Sequence, residues 1–243
     1  MHSELLFYLL LLLVAFLYSS VGHGGASGYL ALMAFFSFAP STMRPTALLL
    51  NIFVSLIAFI QYYRSGHFKW QLFWPFAIAS IPAAFTGGLI VVDVNLYKAI
   101  LGVLLLFPVV WLGGINFNEE KNKKEQSFVA SLIIGALIGL LSGMIGIGGG
   151  IILSPVILLL HWANMKQTAA VSALFILVNS LAGLAGLFTN GFDYRPEMLW
   201  MIVVAYTGGL AGSYLGAMKF KSAFLKRILA VVLLIASVKL LFT

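Results

Sequence analysis

Residues 143–155 read GMIGIGGGIILSP, and residues 21–30 read VGHGGASGYL. Both stretches set glycines inside apolar sequence, where a helix would otherwise continue. A glycine in a helix interior costs about 1 kcal/mol relative to alanine. Unpaired backbone groups in hydrocarbon cost several kcal/mol each, so irregular backbone survives only where protein buries it or water reaches it. Two such turns belong inside a membrane protein, and the chemistry they offer is anion binding. Helices that start just after them aim free N–H groups and the positive end of the helix dipole at a ligand. Gly22, Gly24 and Gly25 in one turn, and Gly146, Gly148, Gly149 and Gly150 in the other, let an anion with several oxygens approach the backbone closely.

Uncharged side chains complete the candidate substrate-binding set. Ser27 and Ser154 fall in the first turns of the helices after the glycines. Asn51 and Ser55 are spaced i, i+4, and Ser172 and Asn179 i, i+7, each pair on one helix face. A serine in a helix more often bonds its own backbone than a ligand, whereas an amide buried in a membrane needs partners. His23 is the ionisable group within a glycine turn. It binds the anion or reports pH, or is an imidazole satisfied by a carbonyl. Arg44 and His161 lie near expected helix ends and read as snorkelling residues, with Arg44 alternatively guarding an outer mouth. The seven acids (Glu4, Asp93, Glu119, Glu120, Glu125, Asp193 and Glu197) all fall at expected helix ends or in loops. That distribution weighs against a cation pump or a carboxylate proton relay. The chain has no cysteine, which removes thiolate metal sites and thiol nucleophiles. Four scattered histidines and these peripheral acids assemble no nucleophile, base or metal set, so no enzyme activity, metal or cofactor is expected.

The elements that must position these residues are membrane helices. Of 243 residues, 62% are hydrophobic and 9% charged, against roughly 25% charged in soluble domains. The net charge of +7 comes from short connections between apolar runs, which reads as membrane topology rather than as a nucleic-acid surface. Apolar runs fall at 5–20, 28–39, 46–62, 71–91 and 96–113, then at 128–142, 151–162, 168–188, 198–217 and 222–242. The polar stretch NFNEEKNKKEQ (116–126) separates the two sets. The N-terminal run lacks a basic leader and is expected to be a retained helix rather than a cleaved signal.

The two sets are copies. Gly22 matches Gly146 at an offset of 124, Ser55 matches Ser180 at 125, and Lys98-Ala99-Ile100-Leu101 matches Lys226-Arg227-Ile228-Leu229 at 128. A slowly drifting offset is the mark of a duplicated unit with small loop insertions. Ala84-x-x-x-Gly88 and its counterpart Gly212-x-x-x-Gly216 read as helix-packing motifs. The second run of each half has only twelve residues, about 18 Å as helix, too short for a ~30 Å hydrocarbon core. The expected fold is therefore an all-α integral membrane protein built from two repeats of five segments. Each repeat opens with a short or broken helix pair, spanning or re-entrant, joined at a glycine turn.

Either way the opening pair returns the chain to its starting side and three crossings follow, so the repeats are inverted. The expected division is a first repeat at 1–114, a linker at 115–127 and a second repeat at 128–243. Arg44, Lys98, Arg195 and Lys239 share the side of the N-terminus. The other ten Lys and Arg residues, including Lys121, Lys123 and Lys124, fall opposite. The positive-inside rule then puts both termini outside and the linker in the cytoplasm of a bacterial-type inner membrane.

The segments GMIGIGGGIILSPVILLL (143–160) and SSVGHGGASGYLALMAF (19–35), with the matched runs downstream, resemble the TauE/SafE family of sulfite and organosulfonate permeases over essentially the whole chain. The first half departs from the second in having His23 and Ala26 where Ile147 and Gly150 stand, with no following proline. The resemblance implies a secondary transporter, acting as an exporter, for small sulfur-containing anions. Its expected partners are that anion and membrane lipid, with no nucleic acid, in a monomer or homodimer. An anion channel of the same architecture is the alternative, and an intramembrane enzyme the weaker one.

Overall fold

A computed structural model describes residues 2–114, 124–189, 191, 195–218 and 234, and the secondary structure among them is helical. In chain order the helices are α1 (His2–Ser19), α2 (Ala26–Phe35), α3 (Pro40–Arg64), α4 (Trp70–Leu89), α5 (Val94–Gly114), α6 (Phe128–Ile145), α7 (Gly150–Leu159), α8 (Met165–Phe188) and α9 (Glu197–Met218). The run at 222–242, apart from Leu234, and most of the polar linker lie outside the described residues. Among the described residues five helices, α3, α4, α6, α8 and α9, are long and apolar enough to cross a membrane.

Local sequence explains the boundaries. α3 opens with Pro40 at its first position, where a missing N–H costs nothing. Asn164 and Gln167 form a reciprocal capping box at the start of α8. Both helices outrun their apolar cores, reaching 25 and 24 residues. The two short helices are shorter than expected, ten residues each, about 15 Å. Each is entered through a glycine with left-handed backbone, Gly25 at φ 98° and Gly149 at φ 78°, a conformation that costs other residues about 1–2 kcal/mol.

α4 lies along α6 and α8, α1 along α9, and α3 along both α8 and α9, while α2 rests on α1 and α3 and α7 rests on α8. Glycine sets the closest of these approaches. A side chain on Gly135, Gly139 or Gly143 of α6 would overlap the carbonyl oxygens of Phe76, Ser80 and Ala84 in α4. On Gly208, Gly212 or Gly216 of α9 it would overlap those of Leu12 and Phe16 in α1 and of Ser20 just after it. Gly88 packs likewise on the backbone of Gly183 and Gly186 in α8. Both expected packing motifs therefore sit at helix contacts. Lipid supplies no hydrophobic drive between helices, so contacts this close carry much of the association. Ser19 Oγ adds a bond to Gly209 O at 2.8 Å between α1 and α9.

Arg44 differs from its expected position. It neither snorkels nor guards a mouth; it is 7% exposed and its guanidinium is spent on backbone. The bonds run to the carbonyls of Gly143 (3.0 Å), Ile90 (3.0 Å), Gly87 (2.9 Å) and Gly88 (2.8 Å). Three of those carbonyls close the C-terminal end of α4, the negative end of its dipole, where a cation is favoured. A planar fork of five donors suits that fan of acceptors. His161 lies in the turn after α7, where its backbone accepts the Lys124 N–H at 3.0 Å.

Candidate substrate site where two glycine turns meet

The turns before α2 and α7 face one another across two side chains. A Cβ on Gly24 would lie 2.5 Å from Asn51 Oδ1 and 2.9 Å from Ile176 Cγ2. On Gly148 it would overlap Asn51 Nδ2 and lie 2.9 Å from the same Ile176 methyl. Asn51 of α3 and Ile176 of α8 are thus wedged between the turns, and only glycine leaves room for them. Asn51 Oδ1 accepts the N–H of Ala26, the first residue of α2, at 3.0 Å. Its Nδ2 donates to Ser180 Oγ at 3.3 Å. A primary amide carries two N–H groups, so one donor remains beyond that bond.

Beside this crossing runs a polar chain. His23 Nδ1 lies 3.0 Å from Val21 O, His23 Nε2 lies 3.0 Å from Ser154 Oγ, and Ser154 Oγ lies 2.8 Å from Ser172 Oγ. A carbonyl only accepts, so Nδ1 carries the proton and Nε2 of the neutral ring is the acceptor. The Ser154 hydroxyl then donates to His23, and Ser172 donates to Ser154. The counterparts one sequence offset away are Ile147, Leu30 and Ala47, and all three belong to the apolar core cluster around α1 and α2. One flank of the crossing is polar and the other greasy.

The remaining sequence-predicted residues are distributed around this centre. Gly150 packs on Ile176, Gly149 on Ile138 and Phe175, and Gly25 on the Tyr29 ring. Gly22 lies against Ala169 and Gly146 against Arg44. Ser27 turns toward α1, where its hydroxyl donates to Tyr18 Oη at 2.9 Å. Asn179 does not reach the crossing partners; its Nδ2 donates to Phe175 O of its own helix at 2.8 Å, and its Oδ1 is buried without a partner. Ser55 Oγ is likewise buried and unpartnered. Leaving such a group unmade costs about 1–3 kcal/mol. Sequence reasoning missed Ser180 and Ile176 as site residues. The signal was present, since they stand 125 residues after Ser55 and Asn51.

The crossing is shut in this conformation: Asn51 and Ser172 are 0% exposed, Ser154 1% and His23 4%. A cavity of about 450 Å³ opens elsewhere, at the far ends of α1 and α2 from the glycine turns, with Tyr8, Phe36, Phe38, Arg195, Glu4 and Glu197 on its walls. Among the described residues no group of three His, Asp or Glu could hold a metal.

A family model described as sulfite exporter TauE/SafE matches residues 7–240. The probable membrane transporter protein y4hK of Sinorhizobium fredii is 36% identical over 233 residues, covering 94% of each chain. The probable membrane transporter protein YdhB of Bacillus subtilis is 26% identical over 235 residues, covering 93% of each. No solved structure matches. With helices long enough to span a bilayer and a family match over nearly its whole length, this chain is a multi-pass membrane transporter of the TauE/SafE family, a family of transporters and not of enzymes.

Proposed function

We propose that the protein is a secondary transporter that exports small sulfur-containing anions such as sulfite or organosulfonates, holding them between the two glycine turns. The observation that carries this reading is the crossing itself. The N-terminal ends of α2 and α7 meet there over Asn51, so helix-end N–H groups and one amide N–H converge beside two serine hydroxyls in a buried layer with no carboxylate among the described residues. A tetrahedral or pyramidal oxyanion matches that donor set. The family description, sulfite exporter, supports sulfur as the central atom. Gly22, His23, Gly24 and Gly25 from one turn and Gly146, Gly148, Gly149 and Gly150 from the other form the cradle, and Ser154 and Ser172 supply hydroxyls. Ser27, Ser55 and Asn179 act from the next layer, where opening of the site would free or partner them.

Residues 1–114 and 128–243 act as inverted repeats, joined by the cytoplasmic linker 115–127. Support comes from the pairing of contacts: α1 on α9 has its counterpart in α6 on α4, and α3 on α9 in α8 on α4. Rocking one repeat on the other would open the shut crossing to each side in turn. An inside-negative potential drives a monoanion outward by about 2.3 kcal/mol per 100 mV.

Purified protein in liposomes is expected to move sulfite or ethanesulfonate, saturably and with counterflow, and not to move sodium. Sodium flux without anion flux would overturn the reading, and non-saturating flux without counterflow would make the protein a channel.

A further inference from the structure

We infer that Tyr29 is a substrate-binding residue whose phenol hydroxyl donates to an oxygen of the transported anion at the N-terminal end of α2. This rests on the function proposed above and adds a contact to the same site. Tyr29 lies in the first turn of α2, where its N–H bonds to the carbonyl of the left-handed cap residue Gly25 at 2.9 Å. A helical side chain leans toward the N-terminus of its own helix and covers the turn before it. Here that lean lays the phenol over the cap. A Cβ on Gly25 would lie 2.6 Å from Tyr29 Oη and 2.6 Å from Cζ. Tyr29 is 0% exposed, and its Oη is buried without a hydrogen-bond partner among the described residues.

A buried hydroxyl left unpaired is destabilising, so its presence calls for a reason. Ser55, Ser80, Ser142 and Thr168 also carry unpaired hydroxyls, but a short hydroxyl on a helix can turn to a carbonyl of its own preceding turn. The phenol oxygen stands at the far end of a rigid ring and has no such recourse. It lies instead at the end of α2, where the N–H groups of Ser27 and Gly28 find no carbonyl within their own helix and the dipole is positive. That end presents donors, not acceptors. A ligand that accepts is therefore the natural partner, and one anion satisfies the phenol and the helix-end amides together. The matched turn is built differently. Leu153 stands 124 residues after Tyr29, and Gly149 lies against Ile138 and the Phe175 ring. The phenol therefore serves one helix end only, and a single substitution removes it.

The test is Tyr29→Phe in the full chain, which removes one oxygen and keeps the ring over Gly25. Two measurements on purified protein are read together: thermal unfolding without ligand, and calorimetric titration with sulfite and with ethanesulfonate. Because Oη is unpaired in the shut protein, Tyr29→Phe is expected to unfold at or above the wild-type temperature. Its dissociation constant, for whichever of the two anions wild type binds, is expected to rise about ten- to a hundredfold, as for the loss of one hydrogen bond to a charged group. Tyr62→Phe is expected to do the reverse, since Tyr62 Oη already donates to Ser20 O at 3.2 Å. It should unfold at a lower temperature and bind the anion as wild type does. Unchanged affinity in Tyr29→Phe overturns the inference. So does a lower unfolding temperature or a failure to fold, because the hydroxyl would then hold a structural bond. An equal loss of affinity in Tyr62→Phe overturns it as well, by making the effect one of general packing. Each of these results leaves the transporter reading intact. Wild type that neither binds nor moves any anion tried rejects the transporter reading itself.

Discussion

At the scale of single residues, Asn51 carries the most contacts of consequence. Its carbonyl holds the first N–H of α2 and its amide reaches Ser180 across the crossing. Asn51→Ala leaves both partners buried and unpaired, which should lower stability by about 1–3 kcal/mol. Asn51→Asp keeps an acceptor for Ala26 but puts a negative charge between the two turns. Thermal shift with sulfite separates the two effects: Asn51→Asp should be destabilised at least as much as Asn51→Ala, since an unpaired buried carboxylate is costly, and should lose the ligand-induced rise, which is about 2.7 kcal/mol for a ligand at a hundred times its Kd. A full ligand response in Asn51→Asp would remove this amide from the anion site. The neighbouring Ile176 explains why one amide suffices, since its methyl touches both turns where a second polar group would need partners of its own.

At the scale of elements, the glycines divide by what they meet. Those of α6, with Gly208 and Gly212 of α9, face carbonyl oxygens of α4 and α1 with no room for a methyl group, whereas Gly66 has nothing within 4 Å and a φ of +76°. Gly139→Leu should therefore force α6 off α4 and cost about 3 kcal/mol or more. Gly66→Ala should cost about 1–2 kcal/mol through backbone strain alone. Thermal unfolding in detergent ranks the two, and an equal or reversed order would mean that the α4–α6 contact is not set by glycine. Arg44 belongs to the same scale: it ties α3 to the end of α4 and to α6, fixing the helix that carries Asn51.

At the scale of the whole molecule, orientation is the open property with the cleanest test, because the natural chain is free of cysteine. Single cysteines can be read without background. Arg195→Cys is expected to react with a membrane-impermeant thiol reagent on intact cells, and Lys123→Cys only after permeabilisation. That direction is the one proposed from the basic residues, four expected on one side against ten on the other; the reverse labelling pattern would overturn the proposed topology and with it the sense of export.

Sequence alone determined the membrane class and the two glycine breaks, because hydropathy and helix propensity are local quantities. It also selected Gly24, Gly148 and Asn51, since glycines in an apolar run and an amide in a membrane helix each need a reason. It could not pair them. His23 meets Ser154 across 131 residues and Asn51 meets Ser180 across 129, and such bonds depend on how helices cross. The same geometry turned Asn179 back onto its own helix, turned Ser27 toward Tyr18 and drew Arg44 inward. Tertiary structure decided these because a buried polar group takes whichever partner the packing brings within 3 Å or so, and packing is set by surfaces that no single segment contains.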